Sequence, residues 1–539
     1  MLITPTLLSG QNRGVKVMKV STFGKNHVSE NIIEKCHEAK AKRKLDSILT
    51  SIQASGFLTA RLNKPYRYKD TLRARIDLGS KINVVDLQEV FFFSNHSSES
   101  TLSRKRDYHL PFSEYLLRIQ TIEDSLQMTG VSFSKIESKN IQINGDTLKT
   151  KLHINTSTKR YIDDIVIKGL KKTPKNLKRF IQSRKLIYNK DNIKLVEQEI
   201  NSSRIAKIAR PSETLFKKDS TKLYVYVEKS NGNSLEGMLG LNNPDGEKTQ
   251  INGFANLELI NILNTAETLK LDYRNDGNDI STLNAFASFP FLLFNKIGAD
   301  AGITITRRDS TYQNESLKAG LFYQPRLAYT YGLNYESLNS NDLSSNDQFG
   351  TFQKNGLNAK LIHSRNTGVS FDKIPDIYYN LNLGYYDRMV NVKKTNQWQL
   401  DATFQKIWHL NNKNEFLTRI RAFHLETEDL LFSELKQLGG IQSMRGFTEN
   451  SIDSGSFGTL MTEYRRSFST NFYAYTVADF GRFEDFSASE MRNIYGLGLG
   501  AAILTRSGLL SLSVVNGSFD EANLELSSVI THLNLRINF

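Results

Sequence analysis

From about residue 235 to the C terminus, apolar and polar residues alternate in one segment after another, with polar turns between them. Ile377, Tyr379, Leu381, Leu383 and Tyr385 interleave with Tyr378, Asn380, Asn382, Gly384 and Tyr386. Leu533, Leu535, Ile537 and Phe539 interleave with His532, Asn534, Arg536 and Asn538. A period of two is the mark of a strand with two unlike faces. One such segment would suit a half-buried strand of a soluble sandwich. Recurrence over about 300 residues without a long helical pattern points instead to membrane-spanning strands, which run to about 9–11 residues each. Sixteen segments are predicted, starting near 235, 251, 267, 282, 299, 316, 327, 358, 376, 396, 414, 457, 472, 493, 508 and 529. An even number suits an antiparallel cylinder, whose closure leaves no unpaired edge in lipid.

The first 230 residues read differently, as repeats of helical and strand segments. The clearest is the last. A strand over 161–170 ends in Gly169, Thr173 and Pro174 give an N-cap and a first-turn proline, and Leu177, Phe180 and Ile181 form an apolar stripe. A second helix carries Ile193, Val196, Ile200 and Ile205 and is stopped by Pro211. Strands over 214–217 and 223–227 complete a β-α-α-β-β unit. The preceding stretch repeats the order with a strand over 83–93, helix over 111–127, and strands over 131–143 and 147–154 joined at Asn144-Gly145-Asp146, a hairpin signal. An earlier copy is partial: helix over 45–54, strand over 71–78, and a first strand and helix within 12–35. Residues 1–11 look like the tail of an apolar signal segment ending in small residues.

Composition sharpens this division. Residues 1–230 hold 43 Lys and Arg against 23 Asp and Glu, whereas residues 231–539 hold 27 against 33. A sign change along the chain points to two bodies in different surroundings. The basic half suits a solvated surface or a position near an anionic membrane; no nucleic-acid module accompanies it, so no nucleic-acid partner is expected. No run approaches the roughly 18–20 apolar residues of a spanning helix. Cys36 is the only cysteine, which excludes intramolecular disulfides and multi-cysteine metal sites. His409 and His424 are isolated and no nucleophile motif appears, so neither an enzyme nor a metal or other cofactor is expected.

The longest non-alternating insert spans 427–456 and contains Gly439, Gly440, Met444, Arg445, Gly446 and Phe447. After it come Glu463 in Thr462-Glu463-Tyr464-Arg465 and Asp479, Phe480 and Gly481 in Val477-Ala478-Asp479-Phe480-Gly481, followed by Tyr495-Gly496-Leu497-Gly498-Leu499-Gly500. A guanidinium lowered into a narrow lumen needs a carboxylate, and the planar fork of arginine fixes a loop better than lysine would. Glycine lets the backbone turn tightly beside a wall. This constellation resembles BamA/TamA-type outer-membrane assembly factors, whose Gly-Gly…Arg-Gly-aromatic loop folds back into the barrel. Met444 replaces the usual aliphatic residue. The segment 253–267 is similar to the family's second barrel strand and the turn after it, without the usual glycines near 264–266, and the terminal Phe539 resembles the C-terminal recognition signal of bacterial outer-membrane proteins. The β-α-α-β-β units resemble POTRA modules.

The resemblance implies an α+β tandem of periplasmic βααββ modules followed by an all-β, 16-stranded antiparallel transmembrane β-barrel. A partial module occupies 1–79, modules occupy 80–157 and 158–230, and the barrel occupies 231–539. It implies that Arg445 is held by Glu463 and by Asp479, Phe480 and Gly481, and that Arg445→Ala is far more damaging than Arg465→Ala. It implies a bacterial outer-membrane location, and a function in inserting or translocating unfolded outer-membrane protein clients without ATP. Outer-membrane lipid and periplasmic or lipoprotein accessory subunits are the other partners it implies. The seam between first and last strands would be weak, because Gly237 and Gly240 remove bulk where the chain must meet the strand ending at Phe539. A two-partner secretion pore and a passive porin are the rival readings.

Overall fold

Strands that bury neither face in protein can satisfy every backbone N–H and C=O in lipid only by closing on themselves, and the second half of the chain does so. In the computed structural model the described residues are 15–24, 27–36, 38–68, 71–93, 103–183, 185–242, 250–275, 280–344, 350–366, 370–372, 374–505, 508–520 and 529–539; residues 1–11, with the expected signal remnant, lie outside them. Sixteen strands form one closed barrel. They are β1 (Ser234–Asn242), β2 (Gln250–Ile260), β3 (Thr268–Asn275), β4 (Ile280–Leu293), β5 (Ile297–Arg308), β6 (Tyr312–Arg326), β7 (Tyr329–Asp342) and β8 (Phe352–Arg365). The ring continues through β9 (Ile377–Val390), β10 (Lys393–Asn411), β11 (Asn414–Glu426), β12 (Ser456–Ser469), β13 (Phe472–Asp485), β14 (Glu490–Leu504), β15 (Gly508–Phe519) and β16 (Val529–Asn538). Every neighbouring pair is antiparallel, including β1 with β16. Leu317, Leu321, Leu333, Leu381, Leu383, Leu499, Leu512 and Leu533 face outward and stay exposed, whereas Tyr386, Gln397, Gln405 and Glu415 are buried within the ring. Among the described residues no helix is long and apolar enough to cross a membrane.

The turn from β2 to β3 shows how local chemistry replaces the glycines absent there. Asn261, Asn264 and Ala266 all take positive φ, a conformation costly for alanine. The buried Glu267 carboxylate compensates by accepting the N–H groups of Leu263 (2.6 Å) and Thr265 (3.0 Å) and the Thr265 hydroxyl (2.6 Å). Burial pushes this carboxyl up, but the hydrogen bonds outweigh it and hold it below the usual carboxylate range.

The N-terminal modules differ from expectation in their helices. One compact unit runs through Ile162, with 186–193 and 219–221; the other comprises the remaining residues. In the 80–157 module the sheet runs Ser103–Pro111, Val84–Phe93, Thr147–Thr156, Lys135–Asn144, with the two central strands parallel. Among the described residues a single helix, α2 (Phe112–Met128), packs on it, so their order is β-β-α-β-β rather than β-α-α-β-β. The segment 103–111 is a strand because its alternate residues pair across to the neighbouring strand, Asp107 with Gln88 (2.9 Å) and His109 with Asp86 (2.6 Å), while Leu110 enters the core. The first module repeats this plan: strands Val15–Gly24 and His27–Cys36 precede α1 (Glu38–Ala54), and Val15–Gly24 runs parallel to Thr71–Asp77. The expected helix within 12–35 is therefore a second strand.

The third module alone has two helices, α3 (Lys175–Gln182) and α4 (Lys190–Ser202), against a sheet ordered Asp164–Lys168, Thr221–Lys229, Ala206–Phe216. Pro174 immediately precedes the first helical residue, one position earlier than expected. Helix α4 ends at Ser202, and Pro211 lies in the edge strand Ala206–Phe216, where a missing N–H is tolerated. Leu177, Phe180 and Ile181 are buried, and the Phe180 ring stacks on Phe291 of β4 at 4.4 Å.

Glu89, wholly buried in Val84–Phe93, is held by Arg118 of α2 through Nε (2.7 Å) and Nη2 (3.2 Å). Arg118→Ala leaves that carboxylate without its counter-charge and is expected to lower the module's stability by about 3 kcal/mol. Amide hydrogen exchange across 84–93 and 147–156 measures the loss; unchanged protection would contradict it.

Candidate functional site

Period two sends odd-numbered residues of β13 and β12 into the lumen near the loop between β11 and β12. Asp479 and Glu463 therefore face inward side by side. The loop, residues 427–455, turns back into the ring and places Arg445 against both, at 3% exposure. The guanidinium is gripped as a fork: Nε donates to Asp479 Oδ2 (2.8 Å) and Nη2 to Asp479 Oδ1 (2.6 Å). Nη1 donates to Glu463 and Nη2 also to the Thr462 carbonyl (3.3 Å). The Arg445 backbone N–H adds a bond to Asp479 (3.3 Å). This degree of pairing offsets the cost of burying the charge.

The other motif residues shape the backbone around that clamp. Gly446 has φ +91°, and a Cβ there would lie 2.8 Å from the backbone of Gly517 on β15. Gly440 has φ +87°, and its Cβ would collide with the Glu449 carboxylate. Gly439 also has positive φ, and its N–H donates to Ser443 Oγ (2.8 Å). Met444 is fully buried in an apolar cluster with Phe423, Leu425, Leu438, Phe447, Ile452, Phe457, Phe483 and Ile494, and Phe447 meets Phe519 edge-on at 5.1 Å. One side of the lumen is thus filled with apolar side chains.

Two expected partners are not partners. Phe480 follows Asp479 and so points outward, 43% exposed, against Tyr495. Gly481 faces inward but lies against Ile494 and Thr459, not against the guanidinium. Arg465, expected to matter far less than Arg445, belongs to the same network: it is 4% exposed, its Nε donates to Glu463 Oε2 (2.6 Å), and its Nη1 lies 3.0 Å from Asp372 Oδ2.

Several clamps were not anticipated. Arg388 of β9 grips loop residue Glu434 through Nε (2.8 Å) and Nη2 (2.7 Å), both side chains 1% exposed, and also donates to the carbonyls of Glu428 and Asp429 (3.0 Å each). Arg274 of β3 binds Glu449 (3.1 Å), Arg308 of β5 binds Asp453 (2.8 Å), and Lys436 of the loop binds Asp401 of β10. Ion pairs therefore tie the loop to six wall strands: β3, β5, β9, β10, β12 and β13. Beside the loop lies a polar cavity of about 570 Å³.

At the seam, β1 and β16 pair only from Ser234↔Asn538 to Met238↔Asn534, five residue pairs, although β16 pairs with β15 along Gly508↔Ile537 to Asn516↔Val529. Gly237 sits opposite Leu535, whereas Gly240 lies beyond the paired stretch and meets only Asn252 of β2. The Phe539 N–H donates to Asn233 O (3.0 Å) and its side chain is exposed. Inside the ring, Glu236 accepts from Arg536 (2.9 Å) and Asn534 (3.0 Å), a polar bridge across the seam that the sequence did not announce. His409 lies against Asp376 (2.8 Å) and Glu415 (3.2 Å) at one end of the barrel.

No protein-family model matches the sequence, and neither does any curated protein. Solved structures do resemble it. CdiB from Acinetobacter baumannii is similar over 98% of this chain and 90% of that chain, at 12% identity and a TM-score of 0.53. CdiB from Escherichia coli is similar over 93% and 97%, at 14% identity and a TM-score of 0.53. BamA from Haemophilus ducreyi lacking POTRA domains 1-3 aligns over 79% of this chain and 94% of that one, at 14% identity and a TM-score of 0.47. The likeness to the two CdiB structures is one of fold.

Arg445→Ala and Arg465→Ala each leave buried carboxylates uncompensated, and each is expected to lower barrel stability by about 3–5 kcal/mol. The exposed Arg466→Ala is expected to stay within about 0.5 kcal/mol. Urea midpoints of the folded, heat-modifiable electrophoretic band measure all three. Gly446→Ala, strained in φ and blocked by Gly517, is expected to expose the loop to added protease.

Proposed function

We propose that this protein is an outer-membrane factor that inserts or translocates other polypeptides without ATP, with its N-terminal modules in the periplasm acting as POTRA-type receptors. The observation that carries this reading is the seam: five residue pairs, one of them at Gly237, join β1 to β16. A strand edge that is only half satisfied is a template for another strand. Among the described residues β1, β2 and β3 span 9, 11 and 8 residues against 14 in each of β7, β8 and β9. A short apolar belt thins the adjacent bilayer at modest energy per ångström, which lowers the barrier to inserting a client hairpin.

Capture before insertion would use open sheet edges. The strand Lys135–Asn144 is an edge of its sheet, and Ile141 and Ile143 on it are exposed. An extended client could add there by β-augmentation, in which main-chain hydrogen bonds supply affinity and tolerate many sequences. The clamped loop disfavours the porin reading, because it fills one side of the lumen with packed side chains. A secretion pore for one dedicated substrate is the second reading. The cavity beside the loop supports it, since withdrawal of the loop would widen a ready polar path.

In a Cys36→Ser background, Leu235→Cys with Ile537→Cys places two thiols on directly opposed residues of the seam. Oxidation is expected to abolish client insertion and reduction to restore it; full activity in the oxidised state contradicts the seam mechanism. Depleting the protein and profiling the outer-membrane proteome separates the two readings. Loss of many barrels supports assembly, and loss of one secreted protein supports the dedicated pore.

A further inference from the structure

The lumenal cavity is lined by Arg274, Arg419, Arg421, Lys436, Arg445, Arg465 and Arg536. Five of these have carboxylates of their own: Arg274 with Glu449, Lys436 with Asp401, Arg445 with Asp479 and Glu463, Arg465 with Glu463 and Asp372, and Arg536 with Glu236. Arg419 and Arg421 do not. Arg419 spends its Nε–H (3.1 Å) and one Nη2–H (2.7 Å) on the single oxygen Oε1 of Gln405. Arg421 makes one long bond, Nη1 to the Gln442 carbonyl at 3.3 Å. Among the described residues neither has a carboxylate within ion-pair reach, and the nearby acids are committed: Glu463 to Arg445 and Arg465, and Asp401 to Lys436.

The two guanidiniums also share a face. As residues i and i+2 of β11 they project into the lumen about 7 Å apart along the strand, close enough to donate to one tetrahedral oxyanion. Thr403 stands opposite Arg421 in register, and Tyr378 opposite Gln405; both line the same cavity and carry hydroxyl donors. Two partly desolvated cations with spare N–H groups, in a cavity whose other five cations are each paired with a carboxylate, form a receptor for an anion rather than another structural clamp.

We propose that Arg419 and Arg421 bind a phosphate-type oxyanion inside the barrel, with Thr403 and Tyr378 donating to its remaining oxygens. The closed wall separates this site from the lipid phase, so a water-soluble oxyanion is its ligand, and a phosphorylated headgroup reaching in through the seam is the alternative source of the same chemistry.

The test is calorimetric titration of pyrophosphate into the full chain in neutral detergent, at fixed ionic strength set with chloride. Wild type is expected to bind one equivalent, and Arg419→Gln with Arg421→Gln at least tenfold more weakly; the exposed Arg466→Gln is expected to bind like wild type. Heat-modifiable migration establishes that the variants are folded. If the double variant is not, Arg421→Gln alone, which leaves the Gln405–Arg419 contact intact, supplies the comparison with an expected loss of at least threefold. Doping the micelles with phosphatidic acid leaves pyrophosphate affinity unchanged if the ligand is soluble and weakens it if a headgroup competes; either result keeps the site. No binding by wild type, or equal binding by wild type and the folded variants, overturns it.

Discussion

A charged side chain inside a water-poor cylinder is costly unless it is paired or hydrogen-bonded, and this cost organises the lumen. Arg445 is the centre of it. Its guanidinium spans Asp479 and Glu463 on adjacent wall strands, and Glu463 in turn holds Arg465, which reaches Asp372. Because arginine presents a planar fork, each pair fixes orientation as well as proximity. The loop is thereby held at one depth, and its glycines let the backbone lie against β14 and β15, where Gly496 and Gly517 make room for it. The apolar cluster around Met444 then fills the space that the clamp defines.

The same ring is uneven. Fourteen residue pairs join β9 to β10, and five join β1 to β16. The clamped side resists change, whereas the seam is kept shut by a short ladder and the Glu236–Arg536 bridge. A rigid plug beside a weak edge suits the lateral insertion proposed above, because opening would be confined to one place without the rest of the wall or the loop giving way.

Much of this was legible in the sequence, for a physical reason. Strand alternation in a barrel is enforced residue by residue, because one face meets lipid and the other the lumen. The sixteen predicted starts consequently fall close to the observed strands, the largest departure being the eighth, which begins at Phe352 rather than near 358. Arg445, Glu463 and Asp479 could be named because a short motif carries them. Phe480 was misassigned for want of applying the same period of two beside an inward aspartate. Contacts such as Arg388–Glu434 and Glu236–Arg536 carry no local signature; they arise only when the ring closes. In the modules, Ser103–Pro111 escaped notice because its charged residues mask the alternation of an edge strand, and Pro211 resembles a helix stop although it sits where an edge strand tolerates it.

The central claim is that the Arg445–Asp479 pair holds the loop in the lumen. A double-mutant cycle of Arg445→Ala and Asp479→Ala, read as protection of the 427–455 segment from added protease, addresses it most directly. The account predicts strong coupling, with the double variant about as impaired as the worse single one and an interaction of about 3 kcal/mol. Additive effects, or a loop protected equally in all four proteins, would contradict it.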